Sequence, residues 1–186
     1  MKLNREIEGC HVRVRTAVKN DAKYTFSIRQ DEEKTKYVHK LKGGICEQEK
    51  WLIDQEESKN SYFFVITDIN NNPIGTYGIY KIDMEKGCAE IGRAMLNGNP
   101  IQNLETIFLI HEFAFNELEL ETLYSSTFLD NKSSVGVNKQ VGGIVIEDRM
   151  DLEFGLEEVR FKITRENYNV ARTKLKRLVE RFRTRK

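Results

Sequence analysis

The longest apolar stretch of the chain lies in its second half, from Leu104 to Glu119. Its apolar residues lie almost all round a helical wheel, whereas Glu105, Glu112 and Asn116 fall on one narrow stripe at helical spacing. The pattern therefore predicts a helix that is buried on most of its circumference.

The residues before this helix contain four predicted strands, which are Val12–Arg15, Tyr62–Thr67, Ile74–Ile82 and Cys88–Leu96. They are rich in apolar and β-branched residues, and polar turns such as DINNNP separate the last three. Two helical stretches, Ala22–Ile28 and Cys46–Ser58, follow the first strand. This alternation predicts an α/β or α+β protein in which helices cover a sheet.

The residues after the buried helix predict a strand at Thr122–Leu129 and then a short helix. Asp130 and Asn131 are good N-cap residues for that helix, and Gly142-Gly143 is a signal for its end. Two further strands, Ile144–Ile146 and Val159–Thr164, are predicted on either side of an acidic loop, Glu147–Glu158. A basic helix, Val170–Phe182, follows the last strand.

The buried helix, the strand and the Asn-Lys-Ser-Ser segment resemble the acyl-CoA-binding core of the GNAT N-acetyltransferases. Asn131, Ser134 and Gly142 fit the spacing of a motif in that family. Asn138 stands where the family often has tyrosine, and Gln140 where it has lysine. The resemblance extends from about residue 12 to about residue 162. It is closest to the branch that acetylates protein N-termini or nucleotide-linked amino sugars.

The resemblance implies a mixed, mostly antiparallel central sheet flanked by helices. We expect a GNAT-like domain at residues 1–164 and a basic helical extension at residues 165–186. Glycine within a strand often marks a bulge. Gly92 is therefore the candidate for the place where the central strand separates from the next one. In the family, the pantetheine arm of the cofactor lies in that gap.

The activity that the resemblance implies is transfer of an acetyl group from acetyl-CoA to a primary amine. The expected acceptor is an amino sugar linked to a nucleotide or a protein N-terminus, and the amino sugar is slightly favoured. Glu90 is the candidate base, although a strand residue in a salt bridge is the alternative reading. Asn138 and Ser134 are candidates beside the leaving group. Asn131 would hold the pantetheine arm or a catalytic water, or would be an N-cap only.

The cofactor site implied by the resemblance comprises strand residues, the start of the buried helix and the Asn-Lys-Ser-Ser segment. The candidates are Ala94, Met95, Leu96, Gln102, Asn103, Leu104, Glu105, Asn131 and Ser134. Helix N-termini bind phosphates through unpaired backbone N–H groups. Ile101 occupies a glycine position of the family loop, so two interpretations remain. The amides of Gln102 to Glu105 hold a diphosphate, or the loop is a polar turn and cofactor binding is weak or lost.

Cysteine and histidine give no pattern typical of a metal site. Cys10, Cys46 and Cys88 are odd in number and widely spaced, which argues against a disulfide framework. His111 is expected in the core, whereas His39 could face the acceptor. No apolar run reaches transmembrane length, so we expect a cytosolic protein without membrane contact. The His and Cys spacing gives no reason to expect a metal ion.

Positive charge is concentrated at the C-terminus. From Arg160 onward there are eleven Lys or Arg and two Glu, a net +9 in a chain whose total is +1. A packed helix with a solvated basic face is the favoured interpretation, and nucleic-acid binding comes next. A homodimer is a further alternative. A GNAT-fold module without catalysis, which binds partners through this helix, is the alternative function.

Overall fold

The computed structural model describes residues 1–31, 35–38, 43–151 and 153–183. The strands are β1 (Ile7–Glu8), β2 (Val12–Thr16), β3 (Tyr62–Asp68), β4 (Pro73–Asp83), β5 (Cys88–Leu96), β6 (Thr122–Phe128), β7 (Ile144–Asp151) and β8 (Leu156–Thr164). The helices are α1 (Ala22–Ser27), α2 (Ile45–Glu57), α3 (Pro100–Glu112), α4 (Lys132–Gln140) and α5 (Arg165–Arg183).

The strands form one sheet in the order β1-β2-β3-β4-β5-β6-β8-β7. All neighbouring strands are antiparallel except β5 and β6, which are parallel. The predicted fold class, a mixed and mostly antiparallel sheet flanked by helices, is confirmed.

The main hydrophobic core lies between one face of the sheet and helices α3 and α5. Phe113, just after α3, packs edge-on against Phe64 of β3, with ring centroids 5.8 Å apart. Tyr168 of α5 stacks on Phe115 at 4.9 Å. Residues of α5 therefore share the same apolar cluster as the sheet.

The opposite face of the sheet is covered by α1 and α2. Phe63 and Val65 of β3 pack there with Leu52 of α2. Because successive residues of a strand point to opposite faces, the continuous apolar run of β3 supplies both cores. The second face, with α2 above it, forms one wall of the cleft described below.

The prediction of an acidic loop at Glu147–Glu158 is wrong, because most of these residues belong to the hairpin of β7 and β8. The turn of this hairpin is closed by Asp151, whose side chain accepts hydrogen bonds from the N–H groups of Glu153 and Phe154. Arg149 and Glu158 form an ion pair of 2.6 Å across the hairpin. Such cross-strand pairs allow charged residues to occupy an edge strand.

Two predicted helices begin earlier than the sequence indicated. The buried helix starts at Pro100, after its N-cap Asn99, and passes into a single π-helical turn at Phe113–Glu117. Helix α5 starts at Arg165, directly after β8, whereas its apolar pattern had placed the start at Val170. The short strand β1 was not predicted.

Within the described residues, no helix is long and apolar enough to cross a membrane. The same part of the chain contains no group of three or more His, Cys, Asp or Glu that could hold a metal ion. His39, the candidate acceptor contact, lies outside the described residues.

Candidate active site

A cleft opens where β5 and β6 separate. The two strands pair only from Cys88 to Glu90 on β5, opposite Thr122 to Tyr124 on β6. Beyond Glu90, β5 stays paired with β4, and Gly92 lies opposite Gly78. The cleft has a volume of about 790 Å³. The separation expected at Gly92 is therefore present.

A β-bulge directs β5 away from β6. Arg93 has a positive φ of 52°, and the register between β4 and β5 shifts between Thr76 and Gly78. The Thr76 hydroxyl donates to the Arg93 carbonyl oxygen at 3.3 Å. An added Cβ at Gly75 would lie 2.7 Å from the Met95 carbonyl oxygen, so only glycine allows β4 to approach the bulged strand this closely.

The edge of β5 that follows the bulge faces the cleft. No described residue of β6 pairs with Ile91 to Leu96, and Ala94, Met95 and Leu96 line the cleft. An unpaired strand edge carries N–H and C=O groups that can bind an extended ligand containing amides. The predicted cofactor residues Ala94, Met95 and Leu96 are thus on a strand edge suited to such a ligand.

The N-terminus of α3 is closed by its own residues. The Asn99 side-chain oxygen accepts hydrogen bonds from the N–H groups of Ile101 and Gln102, both at 3.0 Å. The N–H of Asn103 donates to the Asn99 carbonyl oxygen, and Pro100 has no N–H. The first amides of this helix therefore have internal partners, and a diphosphate would have to displace the Asn99 side chain.

Among the predicted cofactor residues of α3, only Asn103 lines the cleft. The side chain of Gln102 accepts a hydrogen bond from the Asn99 N–H at 2.9 Å, which completes a capping box. Leu104 packs against the main core. The Glu105 carboxylate is 1% exposed and accepts hydrogen bonds from three backbone N–H groups at the start of β2. The predicted contact of the Glu105 amide with a diphosphate stays a prediction.

Helix α4 and its N-cap contribute a further wall of the cleft, which includes Asn131, Ser134 and Asn138. Asn131 is the N-cap, and its side-chain oxygen accepts from the Ser134 N–H at 3.2 Å. The Asn138 side-chain amide donates to the Ser134 carbonyl oxygen at 3.0 Å. The predicted grouping of these three residues is present, and their roles toward a ligand stay predictions.

Glu90 lies beside the cleft and is not part of its lining. Its carboxylate accepts a hydrogen bond from the Lys81 ammonium at 2.9 Å, and the Arg160 guanidinium is 3.8 Å away. This geometry matches the salt-bridge alternative. Its role as the base is untested and stays a prediction.

Sequence patterns gave no signal for the wall formed by α1 and α2. This wall includes Arg29, Gln48 and Trp51, and Arg93 faces it from β5. The Arg93 guanidinium lies over the Tyr80 ring at 4.3 Å from the centroid and over the Trp51 ring at 5.5 Å. These residues come from four separate segments of the chain, and only the packing of the helices on the sheet brings them together.

His111 of α3 lies at the base of the cleft and is 1% exposed. Its Nδ1 lies 2.7 Å from the Ile107 carbonyl oxygen. Because a carbonyl only accepts, Nδ1 carries the proton, and Nε2 is buried without a described partner. Burial lowers the pKa of His111 to about 4, so the ring is neutral at neutral pH. The expectation of a core histidine agrees with this placement.

Comparisons with known proteins agree with the architecture. The family model described as the acetyltransferase (GNAT) domain matches residues 11–144. No curated protein sequence matches the chain.

Several solved structures have the same fold as this chain. A GCN5-related N-acetyltransferase from Brucella melitensis has a TM-score of 0.78 and 16% identity, over 94% of this chain and 85% of that chain. FdhC, a nucleotide-linked sugar GNAT in its apo form, has a TM-score of 0.79 and 21% identity, over 95% and 99%. A spermidine N-acetyltransferase from Vibrio cholerae, in complex with CoA and spermine, has a TM-score of 0.78 and 15% identity, over 87% and 99%.

Proposed function

This chain belongs to the GNAT acetyltransferase family, and we propose that it transfers the acetyl group of acetyl-CoA to the primary amine of a nucleotide-linked amino sugar or of a protein N-terminus. The observation that carries the proposal is the cleft beside the unpaired edge of β5. The thioester of acetyl-CoA supplies the acetyl group. The residues of this chain must bind the donor, hold the amine and stabilise the charge that develops on the carbonyl oxygen.

The β5 edge is suited to the pantetheine part of the donor. Backbone N–H and C=O groups of residues 91–96 can pair with the amides of an extended arm, as another strand would. A backbone N–H of the same edge would stabilise the oxyanion. We propose that Ala94, Met95, Leu96 and Asn103 contact the donor on one side, and that Asn131 and Ser134 contact it on the other.

The family resemblance places a tyrosine beside the leaving thiolate at the position that Asn138 has in this chain. The Asn138 side-chain amide already donates to the Ser134 carbonyl oxygen. An amide can donate a hydrogen bond but does not supply a proton. We propose that the Ser134 hydroxyl or a water protonates the thiolate. Replacing Ser134 by Ala would then lower kcat more than it raises KM.

Glu90 is proposed to accept the amine proton through a water, because it lies next to the cleft and not in its lining. In Glu90→Gln, we expect kcat to fall by about 10²-fold or more at neutral pH. Lys81→Gln is the matched control, because it removes the ion-pair partner of Glu90 and leaves the carboxylate in place. Equal kcat values for Glu90→Gln and the wild type would show that Glu90 is not the base and forms only a surface salt bridge.

The acceptor we favour is the amino sugar linked to a nucleotide. The likeness to FdhC, described as a nucleotide-linked sugar GNAT, supports this preference. The likeness to the spermidine N-acetyltransferase supports the broader class of small-molecule amines. An acetylation panel of amino sugar nucleotides, N-terminal peptides and polyamines, with mass-spectrometric detection, distinguishes these acceptors.

The first experiment is thermal unfolding with and without excess acetyl-CoA. A ligand that binds only the folded state at ~100 times its Kd stabilises that state by about 2.7 kcal/mol. We expect a clear rise in Tm with acetyl-CoA and a smaller rise with pantetheine. An unchanged Tm at millimolar acetyl-CoA would contradict the proposal and favour the alternative of a non-catalytic module.

We also propose the homodimer as the state in solution. Strand β7 is at the edge of the sheet, and Ile144, Val145 and Ile146 are exposed on it. An exposed apolar segment on an edge strand is prone to pair with another chain. Light scattering during size-exclusion chromatography measures the mass directly, and Val145→Lys should shift a dimer to the monomer. A role of α5 in binding nucleic acid stays an untested prediction.

A further inference from the structure

One face of helix α2 lines the cleft. The lining residues on this face, Glu47, Gln48 and Trp51, are three and four positions apart and therefore lie on the same side of the helix. Gln48 is the buried one, with 7% of its surface exposed. Because buried polar side chains are normally hydrogen-bonded, the partners of Gln48 show which of its groups remain for a ligand.

The orientation of the Gln48 amide is fixed by Thr25 of α1. The Thr25 hydroxyl donates to the Asp21 carbonyl oxygen at 3.1 Å and lies 3.3 Å from that of Ala22. A hydroxyl has one proton, so toward the Gln48 side chain, 3.0 Å away, the Thr25 oxygen acts as the acceptor. The Gln48 atom at this contact is therefore Nε2, and Oε1 is on the other side of the amide group.

The Gln48 Oε1 atom is open to the cleft. In the part of the chain that the structure describes, Thr25 is the only hydrogen-bond partner of the Gln48 side chain. The fully enclosed side-chain atoms without a partner in that part are His11 Nε2, the Tyr24 hydroxyl oxygen and His111 Nε2. Gln48 Oε1 is not among them, although it has no partner, so it is accessible. An accepting oxygen and the second N–H of the same amide thus remain for a ligand.

The free groups of the Gln48 amide can both accept and donate a hydrogen bond. A hydroxyl group matches them, because it has a proton to donate to Oε1 and lone pairs that accept from the N–H. An ammonium group only donates, so it leaves the amide N–H without a partner. Trp51, on the same face of α2, adds aromatic surface to the wall. Hydroxyl groups on a ring with apolar C–H groups are the chemistry of a sugar.

We propose that the Gln48 carboxamide binds a hydroxyl group of the amine acceptor and thereby selects a hydroxylated amine, such as an amino sugar. The inference rests on the proposed acetyltransferase function and names the substrate class of the same site. A site built to bind a hydroxyl rejects the analogue that lacks it, because its own polar groups are then left unpaired. Thr25 is a positioning residue, since it holds the amide in one orientation.

A hydroxyl group in the cleft could come from the acceptor or from CoA, and the placement of Gln48 favours the acceptor. Gln48 and Thr25 belong to α2 and α1. The donor contacts proposed above come from β5, from α3 and from α4 with its N-cap. The Gln48 contact is therefore on elements that contribute none of the proposed donor contacts.

The test removes the hydroxyl from the acceptor and the amide from the protein. Glucosamine and its monodeoxy analogues, each of which lacks one hydroxyl, are titrated at saturating acetyl-CoA with the wild type and with Gln48→Met. Methionine keeps an unbranched side chain and removes both polar groups. In the wild type, we expect one analogue to have a kcat/KM about ten- to hundredfold below that of glucosamine. In Gln48→Met, the ratio for that analogue should be near one, which isolates the pair.

The loss should appear as a higher KM for glucosamine, with the KM for acetyl-CoA unchanged. Ratios that are alike in the wild type and in Gln48→Met for every analogue would overturn the proposal. A higher KM for acetyl-CoA with unchanged sugar ratios would assign Gln48 to CoA and overturn it. Spermidine is the further probe. A preference for spermidine over glucosamine that is lost in Gln48→Met would assign the oxygen to an ammonium group, and this result would also overturn the proposal.

Two further variants separate the contact from a general effect on the fold. Thr25→Val keeps the shape of the side chain and removes the oxygen that fixes the amide, so it should reduce the sugar ratio while Gln48 is still present. An unchanged ratio in Thr25→Val would overturn the positioning role. Gln140→Met is the matched control, because Gln140 is exposed at the end of α4. It should leave the ratio unchanged.

A binding measurement separates this proposal from the proposed function. Saturation-transfer NMR of glucosamine with the protein in excess CoA reports on the contact even if no amine is acetylated. A signal with the wild type that is lost in Gln48→Met would support the contact by itself, and no signal with the wild type would overturn it. The Tm shift with acetyl-CoA tests the enzymatic function independently.

Discussion

Single amide side chains decide which backbone groups of the cleft are open to a ligand. Asn99 closes the N-terminus of α3 by accepting from the N–H groups of Ile101 and Gln102. Asn131 does the same for α4 by accepting from the Ser134 N–H. The sequence offered Asn131 as an N-cap or as a ligand contact, and the N-cap bond is present. Asn99 had not been singled out at all.

Asn99→Ala should have two opposite effects. Loss of an N-cap lowers the free energy of unfolding by about 1 kcal/mol. The freed amides of Ile101 and Gln102 become available to the diphosphate of CoA, so CoA should bind more tightly. Urea unfolding and calorimetry measure the two effects. Asn70→Ala, in the exposed turn between β3 and β4, is the control and should change neither. Weaker CoA binding in Asn99→Ala would instead make Asn99 a direct ligand contact.

The buried ring of His111 should give the protein a pH-dependent stability. Its pKa is about 4 in the folded protein, below the ordinary value of 6.5, because burial disfavours the charged form. The unfolded chain therefore binds more protons between these values, and stability falls as the pH drops through this window. From pH 7 to pH 5, the loss due to this group is about 2 kcal/mol.

The measurement is the free energy of unfolding of the wild type and of His111→Phe at both pH values. Every other titrating group contributes to both proteins, so the difference between the two pH dependences isolates His111. Phenylalanine keeps a ring beside Tyr168, on which His111 stacks at 5.6 Å. The same pH dependence in both proteins would contradict a neutral, buried His111.

At the scale of elements, one carboxylate joins α3 to the first hairpin. Glu105 accepts hydrogen bonds from the N–H groups of Cys10, His11 and Val12, at 2.7, 2.7 and 3.1 Å. An added Cβ at Gly9 would lie 2.7 Å from the Glu105 side-chain carbon, which explains glycine at this turn. The bond network fixes α3 against β2 and so positions the start of the helix beside the cleft.

Glu105→Gln should lower the free energy of unfolding by about 2 kcal/mol. The amide places an N–H₂ group against backbone donors, which leaves buried groups without partners. Thermal and urea unfolding measure the loss. Glu57→Gln is the matched control, because Glu57 is exposed at the end of α2. We expect this substitution to leave the free energy of unfolding nearly unchanged. A loss equally small for Glu105→Gln would mean that the three N–H groups are satisfied in another way.

At the scale of the whole molecule, the basic C-terminal helix packs onto the domain. The side chain of Glu112 in α3 accepts two hydrogen bonds from the Arg172 guanidinium, at 2.6 and 2.7 Å, and one from the Tyr168 hydroxyl at 2.8 Å. Leu175 is buried in the main core. These contacts support the interpretation of α5 as a packed helix whose other face is solvated. The predicted boundary between residues 164 and 165 stays untested.

Tyr168→Ala tests that boundary. If α5 belongs to the cooperative unit, the loss of a buried aromatic ring should lower the free energy of unfolding by about 3–5 kcal/mol. Val170 lies on the same helix but is 79% exposed, so Val170→Ala should cost less than about 0.5 kcal/mol. Urea unfolding followed by circular dichroism gives both values. A small effect of Tyr168→Ala would show that the extension is a separate unit.

The sequence predicted most of the elements because each has a periodic pattern of its own. The buried α3 and the apolar β3 are local patterns, and the capped start of α4 at Asn131 and its glycine end were visible as short motifs. The outer part of the β7 and β8 hairpin, from Glu147 to Glu158, was missed because most of its residues are charged. These charged residues can lie in a strand because they pair with residues of the neighbouring strand, as Arg149 does with Glu158. No local sequence pattern reveals such pairs.

The sequence by itself thus determined the order of elements, the fold class and the group of candidates on α4. Tertiary structure decided the rest of the site. Whether Glu90 faces the cleft or Lys81 depends on the register of β4 and β5. The contact of Arg93 with Trp51 depends on how α2 packs on the sheet. Local patterns record propensity and burial, whereas distances between residues far apart in the chain are set only when the sheet and its helices pack together.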